Sequence, residues 1–188
     1  MPRINRHSVF TAVLVVAIAL GVISHATAKR VKDNAELAAL YEQDQADRET
    51  EPIDWTVVSP RDDARQQRVR ELLDADAVHT ANDYSHAAMV YQHASGPEGY
   101  ELAHELAMIS IALGNRDAPW LAAASYDRLL VSLGRGQRFG TQYGAKNGEP
   151  IRMQPVDAGV TDAMRAAMGC PSLLEAKERE KQFNQPRP

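Results

Sequence analysis

The stretch YELAHELAMISIALGNRDAPWLAAASYDRLLVSLG, Tyr100 to Gly134, decides the fold class. Its apolar residues recur at helical spacing on both sides of NRD, and Gly114 and Gly134 stand where helix C-caps belong. Pro119 is placed to open the second helix, because its missing N–H costs nothing in a first turn. The spacing therefore predicts two antiparallel helices joined by a short turn. Both are rich in alanine, which lets helix axes approach closely. The pair is like one unit of a helical-repeat protein, but no second copy follows at a fixed period.

Working outward, the same signals repeat. Asp33 or Asn34 can cap a helix through AELAALYEQDQADRE. PIDWTVVSP, Pro52 to Pro60, reads as extended, with Trp55, Val57 and Val58 covering the core. Ser59 and Pro60 then read as N-cap and first residue of a helix through LLDADAV. Asn82 and Asp83 open YSHAAMVYQHA, which SGPEG ends. Beyond Gly134, RFGTQY and PIRMQPV flank GAKNGE as a small β-hairpin near 139–156. Thr161 or Asp162 caps a short helix, and Ser172 starts a last one. The expected fold is mainly α: a single irregular helical domain, 29–183, of about six or seven helices with one hairpin. A disordered tail, 184–188, follows.

The N-terminus reads as an export signal. Arg3 and Arg6 precede the 15-residue apolar stretch Val9–Ile23, and Ala26 to Ala28 offers small residues to a signal peptidase. Fifteen residues fall short of the roughly 20 that span a bilayer, yet Ser24 to Ala28 can lengthen the stretch. Residues 1–28 are thus a cleaved signal or an N-terminal membrane anchor. Either reading puts the folded part in the periplasm or outside the cell, with membrane contact only through this segment. The rest of the chain has 19 basic and 25 acidic residues, a net of −6. With no basic helix face, it is poorly suited to nucleic acid. Cys170 is the only cysteine, so no internal disulfide can form.

The glycine stretch SLGRGQRFGTQYG, Ser132 to Gly144, fits no nucleotide-binding device. Gly134, Gly136 and Gly140 are one residue too widely spaced for the dinucleotide fingerprint and follow a helix instead of a strand. No Lys-Ser/Thr follows Gly140, so no P-loop is present. Gly140 reads as a strand glycine that another backbone or a ligand approaches closely. Gln137, Thr141 and Gln142 add neutral donors and acceptors beside it.

Among polar residues on apolar faces, Asp127 shares its side of the helix with Trp120, Ala123, Ala124 and Val131. A carboxylate there is costly unless it is paired or hydrogen-bonded. In the antiparallel pair, His104 sits at the same height, so the expectation is a His104–Asp127 contact. It would be half of a proton-transfer system or a buried pair that fixes helix docking. His79, His86 and His93 recur every seven residues, a rise of about 10.5 Å along one helix. Two imidazoles on one zinc need nitrogens only about 3–3.5 Å apart, so no metal is expected from this spacing. His86 and His93 do share a face and, with Gln92, can line a groove.

DQADR, YQHA, YDRLL and GQRFGTQY followed by PIRMQPV together resemble the motif string of a bacterial family of unknown function. Its members are helical, often exported, with a D-R pair and a Q-x-[Phe/Tyr]-G-T-Q signature. The resemblance spans about Leu37 to Leu174 and departs at DADAVHTANDY, where many members have a Gly-Trp-Pro turn. It implies that Asp44, Gln45, Arg48, Gln92, His93, Asp127, Arg128, Gln137, Gly140, Thr141 and Gln142 form one shared pattern. Polar residues from four segments are then expected to converge on one pocket or one closed network. The candidates are Arg48, His86, Gln92, His93, His104, Asp127, Arg128, Gln137, Thr141 and Gln142. Three functions follow: binding a small polar or anionic ligand or a peptide, hydrolysis by a histidine base that Asp127 orients, or a buried network that only specifies the fold. No cofactor is implied.

Overall fold

The computed structural model describes residues 31–49, 52–146 and 148–185. The expected signal or anchor, 1–28, and the end of the expected tail lie outside them. Seven helices are present among the described residues: α1 Ala35–Ala46, α2 Trp55–Asp74, α3 Ala81–Gln92, α4 Pro97–Ala112, α5 Pro119–Ser132, α6 Asp162–Ala167 and α7 Leu173–Phe183. Two short antiparallel strands, β1 Tyr143–Gly144 and β2 Arg152–Met153, form the hairpin. No described helix is long and apolar enough to cross a membrane.

The helix ends follow local chemistry. Asn34 caps α1 by accepting from the N–H groups of Glu36 and Leu37. Thr80, two residues before the expected opening at Asn82, caps α3 in a reciprocal box with Asp83. Asp83 also accepts from the backbone N–H of Asn34, tying the start of α1 to that of α3. Ser172 and Glu175 form a second such box at α7. Gly114 and Gly134 take the left-handed conformation that ends α4 and α5.

One expected element differs. Trp55, Val57 and Val58 are helical, because Asp54 caps α2 well before Ser59. Pro60 therefore sits inside the helix. Only Val58 of the three is buried; Trp55 is 57% exposed. Asn184, expected in the loose tail, is the C-cap of α7 and exchanges hydrogen bonds with the backbone N–H and C=O of Ile151.

Helix α3 is central, touching α1, α2, α4 and α5. Ala87, Ala88, Ala103, Ala107 and Ala122 are fully buried where α3, α4 and α5 meet. Their small side chains bring backbones together, so larger residues cannot be accommodated without moving a helix. Leu37, Val69, Leu72, Val90 and Leu106 fill the remaining core. Helices α1 and α3 run parallel, with Asn34 against Asp83 at one end and Asp44 against His93 at the other. Helix α2 runs antiparallel to α1, as Arg68–Glu36 and Arg48–Asp62 show. The hairpin, α6 and α7 close the far side of α5, with Tyr143 donating to the Ala176 carbonyl.

Candidate functional site

The motif residues do not converge on one place; they divide between a sealed network and an open cleft.

The sealed network answers what the glycine stretch bends around: the side chain of Asp127. Its Oδ1 accepts from the N–H groups of Arg138 (2.6 Å) and Phe139 (2.9 Å). Its Oδ2 accepts from the Thr141 N–H (3.1 Å) and the Thr141 hydroxyl (2.8 Å). No cation pairs with this fully buried carboxylate among the described residues; backbone dipoles and one hydroxyl carry its charge. Gly140 lets the chain turn back, with φ at +80°. The close backbone approach expected at Gly140 occurs at Gly136 instead, where a Cβ would lie 3.4 Å from the Pro155 oxygen.

Gln137, also fully buried, holds the loop from within. Its Nε2 donates to the carbonyls of Gln142 (3.0 Å) and Gln154 (2.8 Å), and its Oε1 accepts from the Gln142 N–H (2.8 Å). Gln142 donates in turn to the Ala124 carbonyl of α5. Asp127, Gln137 and Thr141 are thereby engaged with the protein itself. Cys170 lies beside this network. Burial, and then the negative charge of Asp127, push its thiol up to about 11.

The expected His104–Asp127 pair is not formed. His104 Nδ1 hydrogen-bonds the Ala122 carbonyl at 2.9 Å, and its ring packs on Tyr126 at 5.1 Å. The predicted height along the helices is correct to one residue. One residue is about 100° of rotation, which carries Asp127 to the other side of α5.

The histidine–aspartate pair of this fold is His93 with Asp44, at 2.9 Å from Nδ1 to Oδ2. Asp44 is fully buried on α1 and also meets Arg48 Nη1 at 3.1 Å. Arg48 Nη2 reaches Asp62 at 2.6 Å, and Arg65 binds the other Asp62 oxygen at 2.6 Å and Asp47 at 2.8 Å. The α1–α2 seam is thus an ion network in which each buried charge has a partner. His86, one face-repeat before His93, is not part of it. Its ring stacks on Tyr41 at 4.5 Å, and burial holds its pKa below the ordinary imidazole value.

Arg128 is the exception to this pairing. It is largely removed from water, donating from Nη1 to the Gln92 carbonyl and from Nε to Gln142 Oε1. The Tyr100 ring lies 5.7 Å away. No carboxylate is within ion-pair distance of Arg128 among the described residues. Nη2 makes no hydrogen bond there, Nε and Nη1 being the engaged donors. Burial lowers its pKa; the Tyr100 phenol opposes that, and the positive charge of Arg48 adds to it. A guanidinium remains charged even so.

Arg128, His93 and Arg48 line one cleft of about 240 Å³ with Trp55, Ser59, Asp62, Asp63, Ala94 and Ser95. Trp55, Ser59, Asp62 and Asp63 come from one face of α2, at i, i+4, i+7 and i+8. His93 spends Nδ1 on Asp44, so Nε2 is the ring nitrogen left for a ligand. Gln92 contributes only its backbone; its own side chain is buried, with Oε1 unpartnered among the described residues. Sequence reasoning missed Asp62 and Arg65. The signal was present, since both fall on the buried stripe of α2 between Val58 and Val69.

Among the described residues no group of three or more His, Cys, Asp or Glu is placed to hold a metal ion. Comparison with protein-family models, curated proteins and solved structures finds no match for this chain.

Proposed function

We propose that the cleft binds a small ligand through an anionic group, a carboxylate or a phosphate, seated on Arg128 with His93 Nε2 beside it. The observation that carries this reading is Arg128 itself: a desolvated cation, lining a cleft, with no ion-pair partner among the described residues. Such a charge is costly to maintain, and an anion supplies the missing partner with charge-assisted hydrogen bonds from Nη2. The cleft is smaller than the roughly 300–1,000 Å³ typical of drug-sized ligands, which suits a metabolite of a few heavy atoms. The test is isothermal titration of the full chain with acetate, propionate and inorganic phosphate. Saturable binding that Arg128→Gln abolishes supports the site; equal binding by that variant overturns it.

A second reading is favoured by the His93–Asp44 pair. The carboxylate holds the imidazole in the tautomer that leaves Nε2 able to accept a proton, as a hydrolase base requires. Asp44, not Asp127, would then be the orienting residue. Hydrolysis of p-nitrophenyl esters that disappears in His93→Gln, while acetate binding persists, would favour the enzyme. The N-terminal signal extends the proposal to an exported protein, tested by N-terminal sequencing of the mature chain from the periplasmic fraction.

A further inference from the structure

Resting on the anion-site reading above, we infer that the ligand is a zwitterion: a small molecule with an amine a few atoms from its acidic group. The basis is the charge inventory of the cleft. Arg48 is spent, with Nη1 on the backbone carbonyl and side chain of Asp44 and Nη2 on Asp62. Asp62 is spent as well, its second oxygen held by Arg65. These groups cancel one another. Two charges lining the same cleft remain uncancelled, Arg128 and Asp63. Asp63 makes no ion pair or hydrogen bond among the described residues.

The surroundings of Asp63 suit an ammonium group. Ser59 lies one turn before it on the same face of α2 and also lines the cleft. One turn further back stands Trp55, a residue 57% exposed that also lines the cleft. An exposed tryptophan face attracts an ammonium ion through the ring quadrupole. The cleft therefore presents a cation on α5, an anion and an aromatic residue on α2, and His93 at the C-cap of α3 in the same lining. A monoanion satisfies Arg128 but brings its charge toward Asp63. A molecule carrying both charges meets each with its opposite, and the roughly 240 Å³ of the cleft keeps the two ends within reach of one small molecule.

The experiment compares amino acids with the matched acids on the full chain: glycine, β-alanine and γ-aminobutyrate against acetate, propionate and butyrate, with ethylamine alone as a control. At least one amino acid is expected to bind about five-fold more tightly than its acid, an exposed ion pair and a cation–π contact each giving a few-fold. Asp63→Asn, at an exposed helix position where folding is easily retained, should cut that advantage to the few-fold that Trp55 supplies and leave acid binding unchanged or slightly stronger. Equal affinity in the two series, or an equal effect of Asp63→Asn on both, overturns the zwitterion and leaves the anion site standing. Binding by neither series overturns the zwitterion, and the absence of phosphate binding as well overturns the anion site.

Discussion

Replacing Asp127 with Asn keeps the side chain's shape and removes its charge, and the geometry sets the cost. Four donors converge on the carboxylate: the N–H groups of Arg138, Phe139 and Thr141, and the Thr141 hydroxyl. An asparagine oxygen can retain Arg138 and Phe139 as neutral bonds, losing about 1 kcal/mol at each, since bonds to charged groups contribute about 1.5–3 kcal/mol against roughly 1 for neutral ones. The new amide N–H₂ must face the Thr141 N–H, donor against donor, and a buried unsatisfied donor costs about 1–3 kcal/mol. The total is about 3–5 kcal/mol, comparable to breaking a buried ion pair. For a domain of this size, about 2–4 °C per kcal/mol, the thermal midpoint should fall by about 6–20 °C. The assay is thermal unfolding of the full chain followed by circular dichroism. Thr141→Val, which removes only the hydroxyl, should cost about 1 kcal/mol, and the double variant should cost less than the sum because both act on one network. An unchanged or raised midpoint for Asp127→Asn would refute the closed-network account and return Asp127 to the candidates for ligand binding.

Three further outcomes are expected. Gly140→Ala, forced to φ near +80°, should lose about 1–2 kcal/mol in denaturant unfolding; a neutral effect would mean the loop can turn elsewhere. His86, faced by Tyr41 and by the carboxylates of Asp83, Asp33 and Glu42, has a folded pKa lowered by burial below the unfolded value near 6.5. The unfolded chain then binds the proton first, so His86 supports stability above about pH 6.5 and that support is lost as pH falls. His86→Phe should flatten the fall in midpoint between about pH 7 and 5, and an unchanged slope would contradict this. Cys170, its thiol pushed up to about 11, should react with a disulfide reagent at pH 8 far more slowly in the native chain than in urea. Equal rates would show that the site opens readily.

The helical hairpin was legible because glycine and proline mark its ends and its apolar period is regular. Its side-chain pairing was not, since a wheel drawn from sequence cannot resolve which of Tyr126 and Asp127 faces His104. At the start of α2, Ser59-Pro60 is a stronger local signal than Asp54, so the sequence pattern places the helix start too late and leaves Trp55 in an extended stretch covering the core. Asp54, which accepts from the Thr56 N–H and hydroxyl, starts the helix about a turn earlier and carries Trp55 to the cleft wall. The motif residues were visible as a group. Their division was not, because composition cannot distinguish a polar side chain satisfied by its own backbone, as in Gln137, from one left open, as in Arg128. Asp62 and Arg65 are legible in principle as polar positions on an apolar stripe, but their partners Asp44, Asp47 and Arg48 lie on α1 and the turn that follows it.

Arg128 is a desolvated cation lining a cleft, without an ion-pair partner among the described residues. The most direct test is a titration of the full chain with acetate and β-alanine, observing the arginine side-chain Nε–H resonances by NMR. One saturable shift is predicted at Arg128, together with movement of the His93 ring, while exposed Arg61 and Arg70 follow only ionic strength. Saturation at other arginines, or no saturable arginine shift, would contradict the account.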